Sequence, residues 1–200
     1  MSYIGIFARY YNNIKRKETI MKQDLLFISI GFAGCKILSK TNNNIAKLFI
    51  DTDLKVIEKY AGLRIGAACC GKYSAGGDIE LGQAAVKESK DEILKAVQKF
   101  NNIVVIAPLG GGTTLGATPK LIELLINNNK NVQLITNLPF DIEGERKANL
   151  SNHTLKVLQE LCPVKVLENI DYKQLTNVTY DDVLNLQDEV YIKAIKTLIN

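Results

Sequence analysis

The segment 110–114, Gly-Gly-Gly-Thr-Thr, has the composition of a loop that binds an anion. It follows an apolar, β-branched run at 103–107, which predicts a buried parallel strand, and it precedes a helical pattern that Thr113 or Thr114 is placed to cap. Consecutive glycines let the backbone approach a ligand closely, and the following helix adds free N–H groups and the positive end of its dipole. The segment therefore predicts a phosphate site; a turn that uses glycine only for its geometry is the alternative.

Three other segments carry glycine or acidic residues directly after an apolar run or before a helix. They are Gly-Phe-Ala-Gly-Cys-Lys-Ile at 31–37, Asp-Thr-Asp at 51–53 and Ala-Gly-Gly-Asp at 75–78. In parallel sheets, ligands bind at the carboxyl ends of the strands, so these segments are further candidates for one site. Asp53 is equally well placed to be only the N-cap of a short helix at 54–60.

Strand and helix patterns alternate along almost the whole chain. We expect strands at 24–30, 45–50, 103–107, 131–137 and 164–167, and helices at 54–60, 79–100, 143–161 and 180–198, with helices also following the two glycine loops. This order predicts an α/β fold with a doubly wound, mainly parallel sheet flanked by helices.

Several kinds of site are disfavoured by the sequence. The segment 66–72 matches GxxxxGK, but Tyr73 stands where a P-loop needs Ser or Thr for magnesium. His153 is the single histidine, which argues against a histidine-based zinc site or a Ser-His-Asp triad, and we expect it on a helix surface. The four cysteines form no CxxC pair, which favours a reduced, cytoplasmic location.

The formal charge of +4 is concentrated near the beginning of the chain. Residues 1–23 carry five basic side chains and one acidic, whereas the remainder carries 20 of each sign. We therefore expect no nucleic-acid partner for the folded part. We expect residues 1–23 to be a flexible basic tail and 24–200 to be one domain. Weak contact of the tail with an anionic membrane or a partner is the alternative. Met21 is a second candidate for the first residue of the protein.

Five short motifs occur in order: 31–37, 51–53, 75–78, Gly-Gly-Gly-Thr-Thr-Leu-Gly at 110–116, and Pro-Phe-Asp-Ile-Glu-Gly at 139–144. Together they resemble the nucleotide-binding domain of the tubulin and FtsZ family. The fourth motif, with Ala-Thr-Pro after it, is similar to the GGGTGTG signature loop of that family. The others stand where the family has its first loop, Asn-Thr-Asp, Ala-Gly-Ala-Asn and Pro-Phe-x-Phe-Glu-Gly, and the resemblance extends from about residue 24 to residue 198.

The resemblance implies that the chain binds GTP or GDP, with Mg²⁺ accompanying the nucleotide. The α- and β-phosphates would lie against Gly31, Gly34 and the loop 110–114, and the γ-phosphate near 75–77. The full set of residues implied to surround the nucleotide is Gly31, Phe32, Ala33, Gly34, Cys35, Asp51, Asp53, Ala75, Gly76, Gly77, Leu109, Gly110, Gly111, Gly112, Thr113, Thr114, Pro139, Glu143, Lys147, Asn169 and Asp188.

The same resemblance assigns the sugar and the base. Glu143 would accept hydrogen bonds from the ribose hydroxyls, Lys147 falls where FtsZ has an arginine, and Asn169 matches an asparagine that reads guanine. Asp188 matches the aspartate that reads the base, because guanine presents N1–H and N2–H₂ side by side and one carboxylate can accept from both. An exposed acid in the first turns of a helix is the alternative for Asp188.

The resemblance also implies that hydrolysis needs a second subunit. In this family the next subunit supplies an acidic loop, Asn-x-Asp-x-x-Asp, that polarises the attacking water, and the sequence to Asn200 contains neither that loop nor the second domain. We expect weak hydrolysis by the chain alone, and either full-length FtsZ-like subunits or further copies of itself as partners. Such a protein would cap or modulate filaments.

Two other functions stay open at this stage. One is an interaction module that keeps the fold and does not bind nucleotide, which Phe32, Lys147 and the Gly77-Asp78 pair favour as departures from the family pattern. The other is a different phosphate-binding enzyme on a Rossmann-like sheet.

Overall fold

The computed structural model describes residues 24–42, 44–71, 74–76 and 78–199. The predictions for the tail at 1–23 and for Gly77 therefore lie outside the described residues.

Six parallel strands form one sheet in the order β3-β2-β1-β4-β5-β6. Every pairing between neighbouring strands is parallel, and β1 is joined on one side to β2 and on the other to β4. This topology confirms the predicted doubly wound α/β fold. The strands are β1 (Leu25–Ile30), β2 (Ala46–Asp51), β3 (Leu63–Arg64), β4 (Asn102–Ile106), β5 (Asn131–Thr136) and β6 (Val164–Val166).

Seven α-helices of the described residues connect and cover these strands. They are α1 (Gly31–Ser39), α2 (Leu54–Tyr60), α3 (Ile79–Glu88), α4 (Lys90–Val97), α5 (Gly112–Asn127), α6 (Glu145–Leu161) and α7 (Tyr180–Ile199). Two short 3₁₀ turns lie at Asp141–Glu143 and Tyr172–Gln174. None of these helices has the length and apolar composition needed to cross a membrane.

The strand side chains alternate between two hydrophobic cores, one on each face of the sheet. Phe27 of β1 packs with Ile37 of α1 and with Tyr191 and Ile195 of α7. Leu26, Ile28 and Ile30 point to the opposite face, where the apolar sides of α3 to α6 cover them. Because β1 is central and buried on both faces, its nearly continuous apolar sequence is the pattern expected of such a strand.

The structure differs from the predicted helices in two places. The helix predicted at 79–100 is two helices, α3 and α4, with the boundary at Ser89, whose Oγ accepts a hydrogen bond from Gly66 N at 3.0 Å. The prediction that Thr113 or Thr114 caps α5 is wrong: the N-cap is Gly111, which has no side chain to accept a hydrogen bond, and both threonines lie inside the first turn. His153 lies exposed on α6, as predicted.

Candidate functional site

The loops that follow β1, β2 and β4 converge at the carboxyl edge of the sheet and enclose a cavity of about 270 Å³. Helices α1 and α5 begin at its wall, so their free N–H groups and positive dipole ends lie beside it. Such a wall is suited to an anion. The predicted residues that line this cavity are Gly31, Phe32, Ala33, Asp51, Asp53, Gly111, Gly112, Thr113 and Thr114.

The three consecutive glycines do not share one backbone role. Gly110 has a φ of +134°, which favours glycine, whereas Gly111 has a φ of −87°, which any residue adopts. A Cβ on Gly111 would lie 3.5 Å from Thr114 Oγ1, an ordinary contact distance. Since the chain itself leaves room for a side chain at 111, the glycine there serves to keep the cavity wall open.

The glycines at the start of α1 are required by close packing. Gly31 has a φ of +77°, and a Cβ there would lie only 2.8 Å from Thr114 Cγ2. A Cβ on Gly34 would lie 2.7 Å from the carbonyl oxygen of Ile106. Cys35 is also buried against the sheet, and this burial raises the pKa of its thiol to about 12. Gly34 and Cys35 therefore hold α1 against the sheet. Only the backbone atoms of these two residues are left to contact a ligand.

Hydroxyl groups join the loops after β2 and β4 to each other and to the loop before α3. Thr52 Oγ1 accepts a hydrogen bond from Ala75 N at 3.0 Å and shares a second, also of 3.0 Å, with Thr113 Oγ1. Thr114 Oγ1 donates to the carbonyl oxygen of Gly111 at 2.8 Å. The threonines thus fix the loops in place, and the backbone N–H of Ala75 is already used within the protein.

A second cavity, of about 320 Å³, continues the first toward α7. The two share Ala33, Pro108 and Gly111 in their walls, so they form one groove across the carboxyl edge of the sheet. The predicted residues that line this second part are Ala33, Leu109, Gly110, Gly111, Pro139, Glu143, Lys147 and Asp188.

Glu143 is held at the wall of the second cavity by two contacts. Its Oε1 accepts a hydrogen bond from Phe140 N at 2.9 Å, and its Oε2 forms an ion pair of 2.8 Å with Lys147 Nζ. Each carboxylate oxygen accepts about two hydrogen bonds, so one further donor per oxygen can still be bound. Glu143 is therefore oriented toward the groove and retains acceptor capacity.

The acidic residues at the end of β2 and just after it also accept hydrogen bonds from the backbone. Asp51 accepts hydrogen bonds from the N–H groups of Thr52 and Asp53, at 2.6 and 3.1 Å, and its burial raises the pKa of its carboxyl. Asp53 caps α2 by accepting from Lys55 N at 2.8 Å, so its predicted capping role is confirmed. Both carboxylates are thus held by backbone N–H groups at the wall of the first cavity.

A third, wider cavity of about 730 Å³ opens beside the groove, between the start of α6 and the loop before α3. Gly76, Asp78 and Gly110 line one side of it, and Glu143 to Lys147 line the other. Asp78 caps α3 by accepting a hydrogen bond from Leu81 N at 3.0 Å. Gly76 is therefore near the glycine loop, although it does not line the groove itself.

Comparison with known proteins decides the family. Residues 7–178 match the family model described as Tubulin/FtsZ family, GTPase domain. The chain belongs to the tubulin/FtsZ family. Cell division protein FtsZ 1 of Pyrococcus abyssi is 27% identical over 192 residues, which are 92% of this chain and 52% of that protein. The chain therefore spans about half the length of this relative.

Two solved structures of the tubulin/FtsZ family share the fold. An empty FtsZ dimer from M. jannaschii superposes with a TM-score of 0.81 at 23% identity, covering 95% of this chain and 58% of that one. A GTPγS-bound protofilament of CetZ2 from Haloferax volcanii gives a TM-score of 0.76 at 21% identity, covering 88% and 58%. At 23% and 21% identity, these structural similarities show that the fold is shared.

The two residues that the tubulin/FtsZ resemblance assigned to the base lie in different surroundings. Asp188 is buried at the wall of the groove, where its Oδ2 is paired with Lys36 and Lys40. Asn169 does not line the groove: its side chain accepts from Asn137 Nδ2 at 2.7 Å and donates to the carbonyl oxygen of Leu138 at 3.0 Å. Its contact with a base stays a prediction, and in the structure it fixes the turn after β5.

Sequence reasoning missed the apolar and polar side chains that shape the second cavity. These come from the turn after β5 and from α7, and they are Asn137, Phe140, Tyr180, Leu184 and Gln187. The ring of Phe140 packs edge-on against Tyr180, with centroids 6.3 Å apart. The helical pattern at 180–198 indicates which α7 residues share a face, but it does not indicate that this face also lines a groove.

Proposed function

We propose that the groove binds GTP or GDP. The observation that carries the proposal is the single continuous groove, with two helix N-termini at one end and the carboxylates of Glu143 and Asp188 at the other. The first end suits phosphates, and the second offers acceptors for ribose hydroxyls and base N–H groups. Membership of the tubulin/FtsZ GTPase-domain family supports the same ligand.

Magnesium would enter with the nucleotide. Across the described ranges, no group of three or more His, Cys, Asp or Glu side chains is placed to hold a metal ion. Asp51 and Asp53 are the carboxylates nearest the proposed phosphate end, and both already accept backbone hydrogen bonds. This donor set fits a hydrated Mg²⁺ carried by phosphate oxygens, which is the usual manner of binding for this ion.

We also propose that the nucleotide face receives another subunit, either a full-length FtsZ-type protein or a second copy of this chain. Among the described residues at the groove, the carboxylates of Asp51, Asp53, Glu143 and Asp188 all have hydrogen-bonding roles within the chain. Rapid hydrolysis would then need an acid from a partner to orient water. A polypeptide of residues 1–200 would modulate or cap FtsZ-type filaments in the cytoplasm and hydrolyse GTP slowly by itself.

The first experiment is equilibrium binding of a fluorescent GTP analogue with Mg²⁺, competed by GTP, GDP and ATP. Gly111→Ala is the matched variant: its φ of −87° suits alanine and its Cβ makes only an ordinary contact, so the fold should be kept while a methyl group enters the groove. We expect saturable binding that GTP and GDP compete better than ATP, and at least roughly tenfold weaker binding by the variant. Absence of saturable binding by the wild type would refute the proposal.

A second experiment tests the partner. The chain is mixed with a full-length FtsZ, and GTP turnover and filament mass are measured against the chain concentration. We expect both quantities to change at substoichiometric amounts of the chain, with Gly111→Ala weaker in effect. Robust polymerisation of the 200-residue chain alone with GTP would contradict a capping role.

An interaction module that does not bind nucleotide is the second candidate, and one observation favours it. Phe32 lies in the first loop, at the wall of the proposed phosphate end, and the residue is 52% exposed. Lys59 Nζ lies 5.8 Å from the centroid of this ring. An exposed aromatic ring with a cation above it suits contact with another protein surface. Binding of FtsZ that is unaffected by GTP would favour this function.

A further inference from the structure

The short helix α2 bounds the proposed phosphate end of the groove. Asp53, its N-cap, and Val56, one turn further on, both line the first cavity, as does Phe32 of the first loop. The chain after α2 rejoins the sheet at the end of β2, where Leu63 of β3 pairs with Ile50. Helix α2 therefore stays close to the carboxyl edge of the sheet, where the groove lies.

A nucleotide bound along the groove would place its last phosphate beside α2. Glu143 and Asp188, proposed to meet the ribose and the base, line the second cavity. Phe32, Asp53 and Val56 line the first cavity and not the second, so they lie at the opposite end of the groove. The phosphate that distinguishes a triphosphate from a diphosphate therefore belongs next to α2.

The wall at this end carries negative charge. Asp51 and Asp53 both line the first cavity, and none of its described lining residues is a lysine or an arginine. The N-termini of α1 and α5 contribute only partial positive charge. Since a triphosphate brings more negative charge to this end than a diphosphate does, a further cation here would favour the triphosphate.

Lys59, in the last turn of α2, is placed to supply that cation. It follows Val56 by three residues, so the two side chains lie on the same side of the helix. Side chains of an α-helix lean toward its N-terminus, and α2 begins at the cavity wall. Lys59 Nζ lies 5.8 Å from the centroid of the Phe32 ring, so it already reaches a residue of that wall.

The contacts that hold the Lys59 ammonium group in the absence of a ligand are weak. Lys59 is exposed, and none of the ion pairs among the described residues includes it. Its Nζ lies near the rings of Phe32 and Tyr60, 5.8 and 5.3 Å from their centroids. A cation–π contact at an exposed site is weaker than a charge-assisted hydrogen bond to phosphate, so a phosphate within reach would draw the ammonium group away from the rings.

We propose that Lys59 binds the terminal phosphate of a nucleoside triphosphate and thereby makes the groove favour GTP over GDP. Phe32 holds the ammonium group at the edge of the cavity, and the flexible stem of the lysine lets it turn toward the phosphate. The base, the ribose and the first two phosphates are held alike in both nucleotides. This inference rests on the proposed nucleotide function.

The test measures the dissociation constants of GTP and GDP by competition against a fluorescent GTP analogue with Mg²⁺. For the wild type we expect GTP to bind roughly tenfold more tightly than GDP. Lys59→Met removes the charge and keeps an unbranched side chain, so GTP binding should weaken until the two constants agree within about twofold, with GDP binding unchanged. Lys59→Arg keeps the charge and should retain a preference for GTP.

Lys95→Met is the matched control. Lys95 is also an exposed lysine in the last turn of a helix, α4, and it belongs to none of the ion pairs among the described residues. Because α4 leads into the amino end of β4, its last turn lies toward the edge of the sheet opposite the groove. The variant removes the same charge and should leave both dissociation constants unchanged.

Chemical labelling tests the contact in the wild-type protein. Lysines are acetylated with an N-hydroxysuccinimide ester of acetic acid, and the rate at each position is followed by mass spectrometry. GTP with Mg²⁺ should slow the acetylation of Lys59 several-fold, whereas GDP should leave it nearly unchanged. The rate at Lys95 should be the same with either nucleotide.

The outcomes separate this inference from the function on which it rests. Equal losses of GTP and GDP affinity in Lys59→Met would overturn the inference and assign Lys59 to packing on Phe32. Equal wild-type affinities for GTP and GDP, or no protection of Lys59 by GTP, would also overturn it and leave nucleotide binding intact. Failure of every nucleotide to bind would instead refute the proposed function, and this inference with it.

Discussion

Replacing Gly31 by alanine tests the close contact between the first loop and the glycine loop. The backbone cost comes from the φ of +77°, at which a Cβ costs about 1–2 kcal/mol. The steric cost comes from the 2.8 Å approach to Thr114 Cγ2, and overpacking of this kind costs about 1–3 kcal/mol. We therefore expect Gly31→Ala to lower the free energy of unfolding by about 2–5 kcal/mol.

A double-mutant cycle separates the two costs. Thr114→Ser removes Cγ2 and keeps the hydroxyl that donates to Gly111, and it should itself cost about 1 kcal/mol for the lost buried methyl group. In Gly31→Ala/Thr114→Ser the overlap is gone, so the double variant should be more stable than the sum of the single effects by about 1–3 kcal/mol. The assay is urea unfolding followed by far-UV circular dichroism. Strictly additive effects would show that the two loops are not in the contact described.

Two further predictions concern the core and the helix packing. Burial raises the pKa of Tyr191 well above 10, so the folded protein keeps a proton that the unfolded chain loses, and stability should fall by up to about 1.4 kcal/mol per pH unit above pH 10. Tyr191→Phe leaves Asn137 Oδ1 without its 2.6 Å donor and should lower the free energy of unfolding by about 1–3 kcal/mol. Urea titrations should show this deficit relative to the wild type shrinking from pH 10 to pH 11. A deficit that stays constant would contradict the raised pKa of Tyr191. Gly116→Ala places a Cβ 2.2 Å from the carbonyl oxygen of Ile79 and should lower the free energy of unfolding by about 3 kcal/mol or more. Gly71→Ala has no described atom within 4 Å of its Cβ, so it should lower the free energy of unfolding by only about 1 kcal/mol, for its φ of +59°. Equal melting temperatures for these two alanine variants would show that α3 and α5 are not packed as described.

Much of the fold was predictable because apolar runs and glycine loops are local features. The runs at 24–30 and 103–107 match β1 and β4 to within a residue at each end, since a strand buried on both faces is apolar throughout. The break between α3 and α4 was not predictable. Its apolar periodicity continues across Ser89, and the contact that stabilises the break comes from Gly66, 23 residues earlier.

The site was predictable only as a set of loops. The sequence motifs place Gly31, Gly111 and Glu143 at one edge of the sheet, and the structure brings all three to the groove. The hydrogen bonds and ion pairs of these side chains depend on partners distant in the chain: Asp188 is paired with Lys40, 148 residues away. A lysine at the C-cap of a helix carries no local signal that its partner will be a groove carboxylate.

The two outer strands of the sheet are its shortest. The strand β3 has two residues and β6 has three, so each of these outer strands presents only a few N–H and C=O groups on its own outer edge. Outer strands this short offer an incoming chain little backbone on which to pair, which disfavours lateral aggregation through them. Short outer strands therefore favour intermolecular contacts made by side chains at the ends of the strands or on the helices over backbone pairing along the sheet.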